Sequence, residues 1–181
     1  MNLRFVLCLC LASCLATSRL AQAEAPDPAN PAPPPGPSYI ESSAATRDVG
    51  ERYFAAYVDQ RWDDLAPLLA EQAQFVDPTA EAVFGKVEMI GKSAVMENFR
   101  ANYANLSMQF TAQRVIHSGA YAVFEGELTW SMALPARTLQ IDRMPLVTIL
   151  RIEGGQVVEH RDFADYRRFL DAERATRPAK P

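Results

Sequence analysis

Cysteine is confined to the first 14 residues, as Cys8, Cys10 and Cys14. The body of the chain therefore can build no disulfide, no thiolate metal site and no cysteine nucleophile. Histidine is almost as scarce, with His117 and His160 alone. A multi-histidine metal site has too few ligands to draw on, and no cofactor is expected. Blocks of basic charge are missing too. Formal net charge is −4, and loss of Arg4 and Arg19 with a cleaved leader takes it to −6. Proteins that hold nucleic acid neutralise phosphates with clustered Lys and Arg, so nucleic acid is not the expected partner. Arg161, Arg167, Arg168 and Arg174 are spread out and have acids nearby to pair with. There is no phosphate loop and no internal repeat.

Apolar residues make up 49% of the 181-residue chain, enough for the core of one domain. The front of the chain reads as an address. Arg4 precedes the apolar run Phe5 to Ala12, and Ala21-Gln22-Ala23 has the small-x-small form of a cleavage site. A signal peptide over residues 1–23 follows from this pattern, which is too short for a membrane-spanning helix. The product would be periplasmic or secreted. Leu11-Ala12-Ser13-Cys14 offers an alternative. It resembles a bacterial lipobox, and a lipid on Cys14 would tether the domain to a membrane. Glu24 to Ser38 is proline-rich with little to bury, and residues 24–41 read as an extended, disordered spacer. The folded domain is expected over 42–175, with a frayed tail at 176–181.

Within the domain the hydrophobic period changes from helical to alternating. Ser42 and Ser43 offer N-caps for a helix over 44–60, with Tyr53, Phe54 and Tyr57 on its apolar face and Gly50 as a weak point. Trp62 to Leu69 reads as a second, short helix. Gln74 to Pro78 is briefly extended, 79–89 is loop-like with a small hairpin as an alternative, and Ser93 caps a helix over 94–104 that carries Phe99. Strands follow at 108–117, 121–132 and 143–152, the last apolar on both faces and so expected to be buried twice. A closing helix fits 166–175. Helices first and consecutive strands afterwards is an α+β pattern, with the helices covering one face of a curved antiparallel sheet.

The stretch Gly154-Gly155-Gln156-Val157-Val158-Glu159-His160-Arg161-Asp162-Phe163 carries the chemistry. Gly-Gly is a hairpin signal, and strand side chains alternate between faces. Val158, His160, Asp162 and Ala164 are thereby expected on one face, and Val157, Glu159, Arg161 and Phe163 on the other. His160 and Asp162 together would make the polar floor of an apolar pocket, or a solvated edge if that face is wet. A carboxylate in an apolar cavity has its pKa raised by desolvation, which suits a general base. Asp77, ending a short strand before Pro78, is a third candidate. Tyr57, Trp62, Phe75, Phe99 and Trp130 are candidate pocket walls, and core packing explains such residues equally well.

The same closing stretch, through Asp162-Phe163-Ala164-Asp165 and Leu170, resembles the last strand of the nuclear transport factor 2-like superfamily. It is most similar to the branch of SnoaL-like polyketide cyclases and limonene-epoxide hydrolases. Trp62-x-x-Leu65, Phe75-x-Asp77-Pro78 and Gly91-Lys92 fall in the order those families use. The resemblance implies a cone-shaped sheet wrapped on N-terminal helices, the cystatin-like roll, with a pocket for a small apolar molecule and a homodimer formed through the sheet. It places Asp162 at the acid of the epoxide hydrolases and near that of the cyclases, with His160 as a donor to a developing oxyanion. The Arg and Asp of the epoxide-hydrolase relay fall on Glu127 and Thr129, so that relay is missing. The implied activity is a cofactor-free isomerase, cyclase or hydratase on a small carbonyl compound. The alternative is a non-catalytic binding or dimerisation module of the envelope.

Overall fold

The computed structural model describes residues 38–135 and 137–176. The leader with Cys14 and Ala21–Ala23, the spacer up to residue 37 and the tail after Thr176 lie outside the described residues.

Helix α1 runs over Tyr39–Val58, beginning inside what the sequence suggests is spacer. The reason is a capping box. The Ser38 side chain accepts from the Glu41 backbone N–H, and the Glu41 carboxylate accepts from the Ser38 N–H. Two otherwise unpaired donors are satisfied at once, so the helix starts there and not at Ala44. A short helix α2, Trp62–Leu65, continues as a 3₁₀ turn over Ala66–Leu68, with Pro67 in the first turn where its missing N–H costs nothing. Strand β1 is Leu69–Asp77, helix α3 is Glu81–Phe84, strand β2 is Val87–Ile90 and helix α4 is Lys92–Asn102. The segment expected to be loop or a small hairpin thus holds a helical turn and an edge strand, β2, that pairs antiparallel with β1. Four long strands follow: β3 over Leu106–Ser118, β4 over Tyr121–Leu134, β5 over Arg137–Glu153 and β6 over Gln156–Ala164. Helix α5, Arg167–Thr176, closes the described chain.

All six strands form one curved, unclosed sheet in the order β2-β1-β6-β5-β4-β3. The α+β class is as expected, with one difference: β1 and β6 run parallel, so the sheet is mixed. Strands β3 to β6 pair as an antiparallel meander, and β1 adds to the edge β6 leaves open. The β5–β6 turn is made by Gly154 and Gly155, both at positive φ, the left-handed geometry that matches strand twist in a two-residue hairpin.

The inner face of the sheet carries the core. Strand β4 turns Ala122, Phe124, Leu128 and Trp130 inward while Glu125 and Glu127 point out. Phe54 of α1 stacks on Phe124 with ring centroids 4.1 Å apart. Gly50 sits where α1 crosses β4: a Cβ there would lie 2.7 Å from the Ala122 Cβ. The weak point in the helix is what lets helix and strand approach. A second apolar cluster, including Leu139, Ile141, Met144 and Trp130, packs under Phe169 of α5.

Two bulges decide which residues face inward. In β5, Trp130 pairs with Ile141 but Leu128 pairs with Met144, and Arg143 adopts φ 51° in between. Inward residues therefore switch from Leu139 and Ile141 to Met144, Leu146, Thr148, Leu150 and Ile152. The segments before and after Arg143 form one strand, where the sequence suggested a start at 143. In β6, Arg151 faces Glu159 while Ile152 faces Val157, which leaves Val158 as the extra residue. Val157 is consequently fully buried on the inner side and Val158 only half-buried, the reverse of strict alternation. The double burial expected of β5 is also not observed, since its outward Val147 and Ile149 remain partly exposed.

Candidate functional site

Asp162 and His160 both point inward from β6 and are buried, at 4% and 0% exposure. Three groups converge on the Asp162 carboxylate. Thr148, opposite it on β5, donates its hydroxyl to Oδ1 at 2.5 Å. His160 Nε2 lies 3.0 Å from the same oxygen. Tyr57 of α1 donates to Oδ2 at 3.1 Å. Hydrogen bonds to a charged partner each contribute roughly 1.5–3 kcal/mol, and without them a carboxylate would not stay buried as an anion.

The imidazole is itself held. The Tyr53 hydroxyl lies 3.0 Å from its Nδ1, and the rings of Tyr53, Tyr57 and Phe75 meet it edge-on. One assignment satisfies every atom: Tyr53 O–H donates to Nδ1, and Nε2–H donates to Asp162. On the other side Tyr103 hydrogen-bonds to the Tyr57 oxygen at 3.0 Å, so a relay of donors runs from Tyr103 through Tyr57 to the carboxylate. Burial pushes the phenols of Tyr53, Tyr57 and Tyr103 up, and the Asp162 charge pushes them further. They stay protonated and serve as donors.

Asp77 is also buried, at 4%. The Phe75–His160 and Val76–Arg161 pairs of the parallel ladder carry it alongside Asp162. Its Oδ1 accepts from the Thr79 N–H, the Thr79 hydroxyl and the Ala80 N–H, at 3.0, 2.7 and 2.9 Å. Its Oδ2 accepts from Tyr166 at 2.5 Å. Burial first, and the Asp77 charge second, hold the Tyr166 phenol well above its ordinary range. The Thr79 hydroxyl oxygen accepts from the Ala164 N–H at 2.8 Å, which ties the turn after β1 to the end of β6. Asp77 thus organises a turn as well as facing the site.

Between the two apolar clusters lies a cavity of about 440 Å³. Asp162 and Asp77 both line it, with Tyr57, Tyr103 and Tyr166 beside them. Leu128, Trp130 and Met144 belong to its apolar wall. Exposed Phe84, Lys86 and Asn102 mark its mouth.

The sequence candidates divide accordingly. Asp162, Asp77, Tyr57, Phe75 and Trp130 line the cavity. His160 does not: it sits behind Asp162, enclosed by aromatic rings, where it cannot reach an oxyanion in the cavity. Phe99 and Trp62 stack on each other at 5.4 Å on the far side of the wall, and neither lines the cavity. Phe99 is turned into the core by the α4 apolar face, and Trp62 caps that core. Glu127 and Thr129 face outward, both bonded to Arg143. The inward positions beside them are Leu128 and Trp130, so the site holds no acid–Arg–acid relay. Thr148, Tyr53, Tyr103 and Tyr166 are site residues that periodicity alone did not single out. Thr148 carried a signal: a lone hydroxyl on the buried face of an apolar strand needs a polar partner. Among the described residues no group of three or more His, Cys, Asp or Glu side chains comes together that could hold a metal ion.

Residues 50–160 match the family described as SnoaL-like domain. No curated protein is similar enough in sequence to match. Among solved structures, a candidate SnoaL-like polyketide cyclase of Shewanella denitrificans superposes with a TM-score of 0.65 at 17% identity, over 72% of this chain and 98% of that one. An NTF2-like protein of Burkholderia xenovorans gives 0.59 at 15% identity, over 76% and 98%. The LEH-like epoxide hydrolase of M. tuberculosis gives 0.55 at 13% identity, over 71% and 89%. At these identities the likeness is one of fold, and the family match ends two residues short of Asp162.

Proposed function

Because this chain belongs to the SnoaL-like domain family, we infer that its cavity takes a small apolar carbonyl compound. Asp162 acts there as the general base of a cofactor-free isomerase, cyclase or hydratase-type reaction. The observation that carries this reading is a cavity of about 440 Å³ that reaches Asp162 through apolar walls. Oδ1 is occupied by Thr148 and His160, whereas Oδ2 has one donor and keeps acceptor capacity. A proton passes from the carbon next to the carbonyl to Asp162, which becomes a carboxylic acid, and the electron pair moves to the carbonyl oxygen. Tyr103, a protonated phenol on the cavity wall, stabilises the resulting enolate by turning its single O–H from the Tyr57 oxygen to the substrate oxygen. His160 is a positioning residue that fixes the carboxylate from behind. For an isomerase, Asp162 then returns the proton at a different carbon.

The test is exchange of α-protons for deuterium in D₂O, followed by NMR for simple ketones such as cyclohexanone and acetophenone. Wild type accelerates exchange and Asp162→Asn does not. Equal exchange by both, or none above buffer, removes Asp162 from the chemistry. A second reading, a module that retains a ligand without turnover, draws support from the three donors already on Asp162, the pattern of a structural carboxylate. It predicts binding with no exchange.

We also propose a dimer and export from the cytoplasm. Two copies pair through the outer face of the sheet, where Ile116, Val123 and Ile149 form one cross-strand row and Val147 and Phe163 the next. Light scattering on the purified domain should give twice the chain mass, and a monomer at micromolar concentration rejects the pairing. The protein is exported, and mass spectrometry of the mature N-terminus separates a chain starting at Glu24 from one starting at lipidated Cys14. A chain retaining Met1 would reject both.

A further inference from the structure

We propose that the cavity selects an organic cation: a small apolar molecule carrying a protonated or quaternary amine. This goes beyond the reading above, since it concerns what the cavity retains and holds whether or not Asp162 removes a proton.

Asp162 and Asp77 are each 96% buried and stand side by side on parallel strands, at one cavity. The Asp77 carboxylate accepts from two backbone N–H groups and two hydroxyls. Asp162 accepts from Thr148 and Tyr57 and, in the tautomer assigned above, from His160 Nε2–H, which lies off the cavity wall. Hydroxyl and backbone N–H donors satisfy their lone pairs but supply no opposite charge, the one group beside them able to carry one being His160 behind Asp162, and two carboxylates side by side in a poorly screened interior repel. Among the described residues, Lys86 is the one basic side chain that lines the cavity, and it is 75% exposed at the mouth and paired with Glu88. The cation that would complete the charge balance is not supplied from the cavity wall.

The remaining wall fits that cation. Tyr57, Phe75, Tyr103, Trp130 and Tyr166 all line the cavity. Aromatic faces attract an ammonium group, and more strongly when water is excluded. Tertiary and quaternary ammonium groups are less strongly hydrated than a primary ammonium, so apolar walls and buried carboxylates act together on them. A carboxylate or phosphate ligand would meet two like charges and is disfavoured.

The experiment compares benzyldimethylamine, protonated at pH 7, with isobutylbenzene, its uncharged isostere. Affinities for the intact wild-type protein are measured by ligand-observed NMR. The amine should bind at least about tenfold tighter. Equal or weaker binding of the amine overturns the proposal without reference to any variant. In Asp162→Asn, checked for an unchanged fold by circular dichroism, the preference should fall at least about threefold. An unchanged preference places its origin elsewhere and also overturns the proposal. Ketone exchange without amine preference would sink this inference and leave the base intact. Amine preference without ketone exchange would do the reverse.

Discussion

Replacing Tyr53 by Phe isolates the contact that holds the imidazole. Tyr53 is fully buried, and its hydroxyl is the partner of His160 Nδ1 at 3.0 Å. The phenylalanine ring would occupy the same volume and keep the edge-on contact with His160 at 5.6 Å. The substitution therefore creates no cavity and removes one donor. His160 Nδ1 is then an acceptor with no partner in a site where His160 has no exposure. Leaving such a group unsatisfied costs about 1–3 kcal/mol, against roughly half a kcal/mol for an ordinary surface change. For a domain of this size that corresponds to a fall in melting temperature of about 3–9 °C. Urea unfolding should show a lower midpoint with an unchanged slope, since the surface exposed on unfolding is the same. The imidazole nitrogens report independently by ¹⁵N NMR: in wild type the proton sits on Nε2, facing Asp162. A loss of stability below about 0.5 kcal/mol, or a wild-type proton on Nδ1, would refute the donor chain from Tyr53 to Asp162.

The close approach of α1 to β4 makes Gly50→Ala destabilising, even though alanine favours a helix by about 1 kcal/mol. The new Cβ would sit 2.7 Å from the Ala122 Cβ, and relieving that overlap costs roughly 1–3 kcal/mol, so a net loss is expected in urea unfolding and a net gain would contradict the packing. Alkaline pH should weaken the fold through four phenols, Tyr53 and Tyr57 buried and Tyr103 and Tyr166 half-buried. Tyr53, Tyr57, Tyr103 and Tyr166 have folded pKa values raised above the unfolded value, by burial first and by carboxylate charge next. The folded state then binds more protons above pH ~10, so this contribution is intact below pH ~10 and is lost as pH rises past it. The urea midpoint should fall between pH 9 and pH 11.5, and a flat or rising midpoint would show that these hydroxyls are not sequestered.

The sequence made the order of elements legible, because a helical period followed by long alternating strands leaves few architectures. It also placed His160 and Asp162 on one face of β6, and that face is the inner one. What alternation does not encode is depth. His160 and Asp162 share a face, yet one lines the cavity and the other is walled in by Tyr53, Tyr57 and Phe75. The difference is made by side chains arriving from α1 and β1, more than 80 residues earlier in the chain, which no local pattern around β6 reports. The carboxylate's principal hydroxyl partner, Thr148, is equally hard to see in the sequence, because the run around it is apolar on both faces.

Bulges account for the remaining errors, and they act through parity. A two-residue period assigns every second residue to one face, so one inserted residue reverses all assignments beyond it. At Val158 the reversal exchanged the burial of Val157 and Val158 without disturbing His160 or Asp162, because both lie on the same side of the extra residue. At Arg143 it separated Leu139 and Ile141 from Met144 and Leu146, and the break in pattern looked like the end of one strand and the start of another. The run Leu139-Gln140-Ile141-Asp142-Arg143-Met144 does contain the clue: two charged residues together between apolar ones are one too many for strict alternation in a strand. With Arg143 at φ 51° and its guanidinium bonded to Glu127 on the outer face, the strand bends there. Met144 and Leu146 consequently return to the inner side and line the cavity that Asp162 faces. The curvature that creates the site is therefore set by a bulge well outside the stretch that carries its carboxylate.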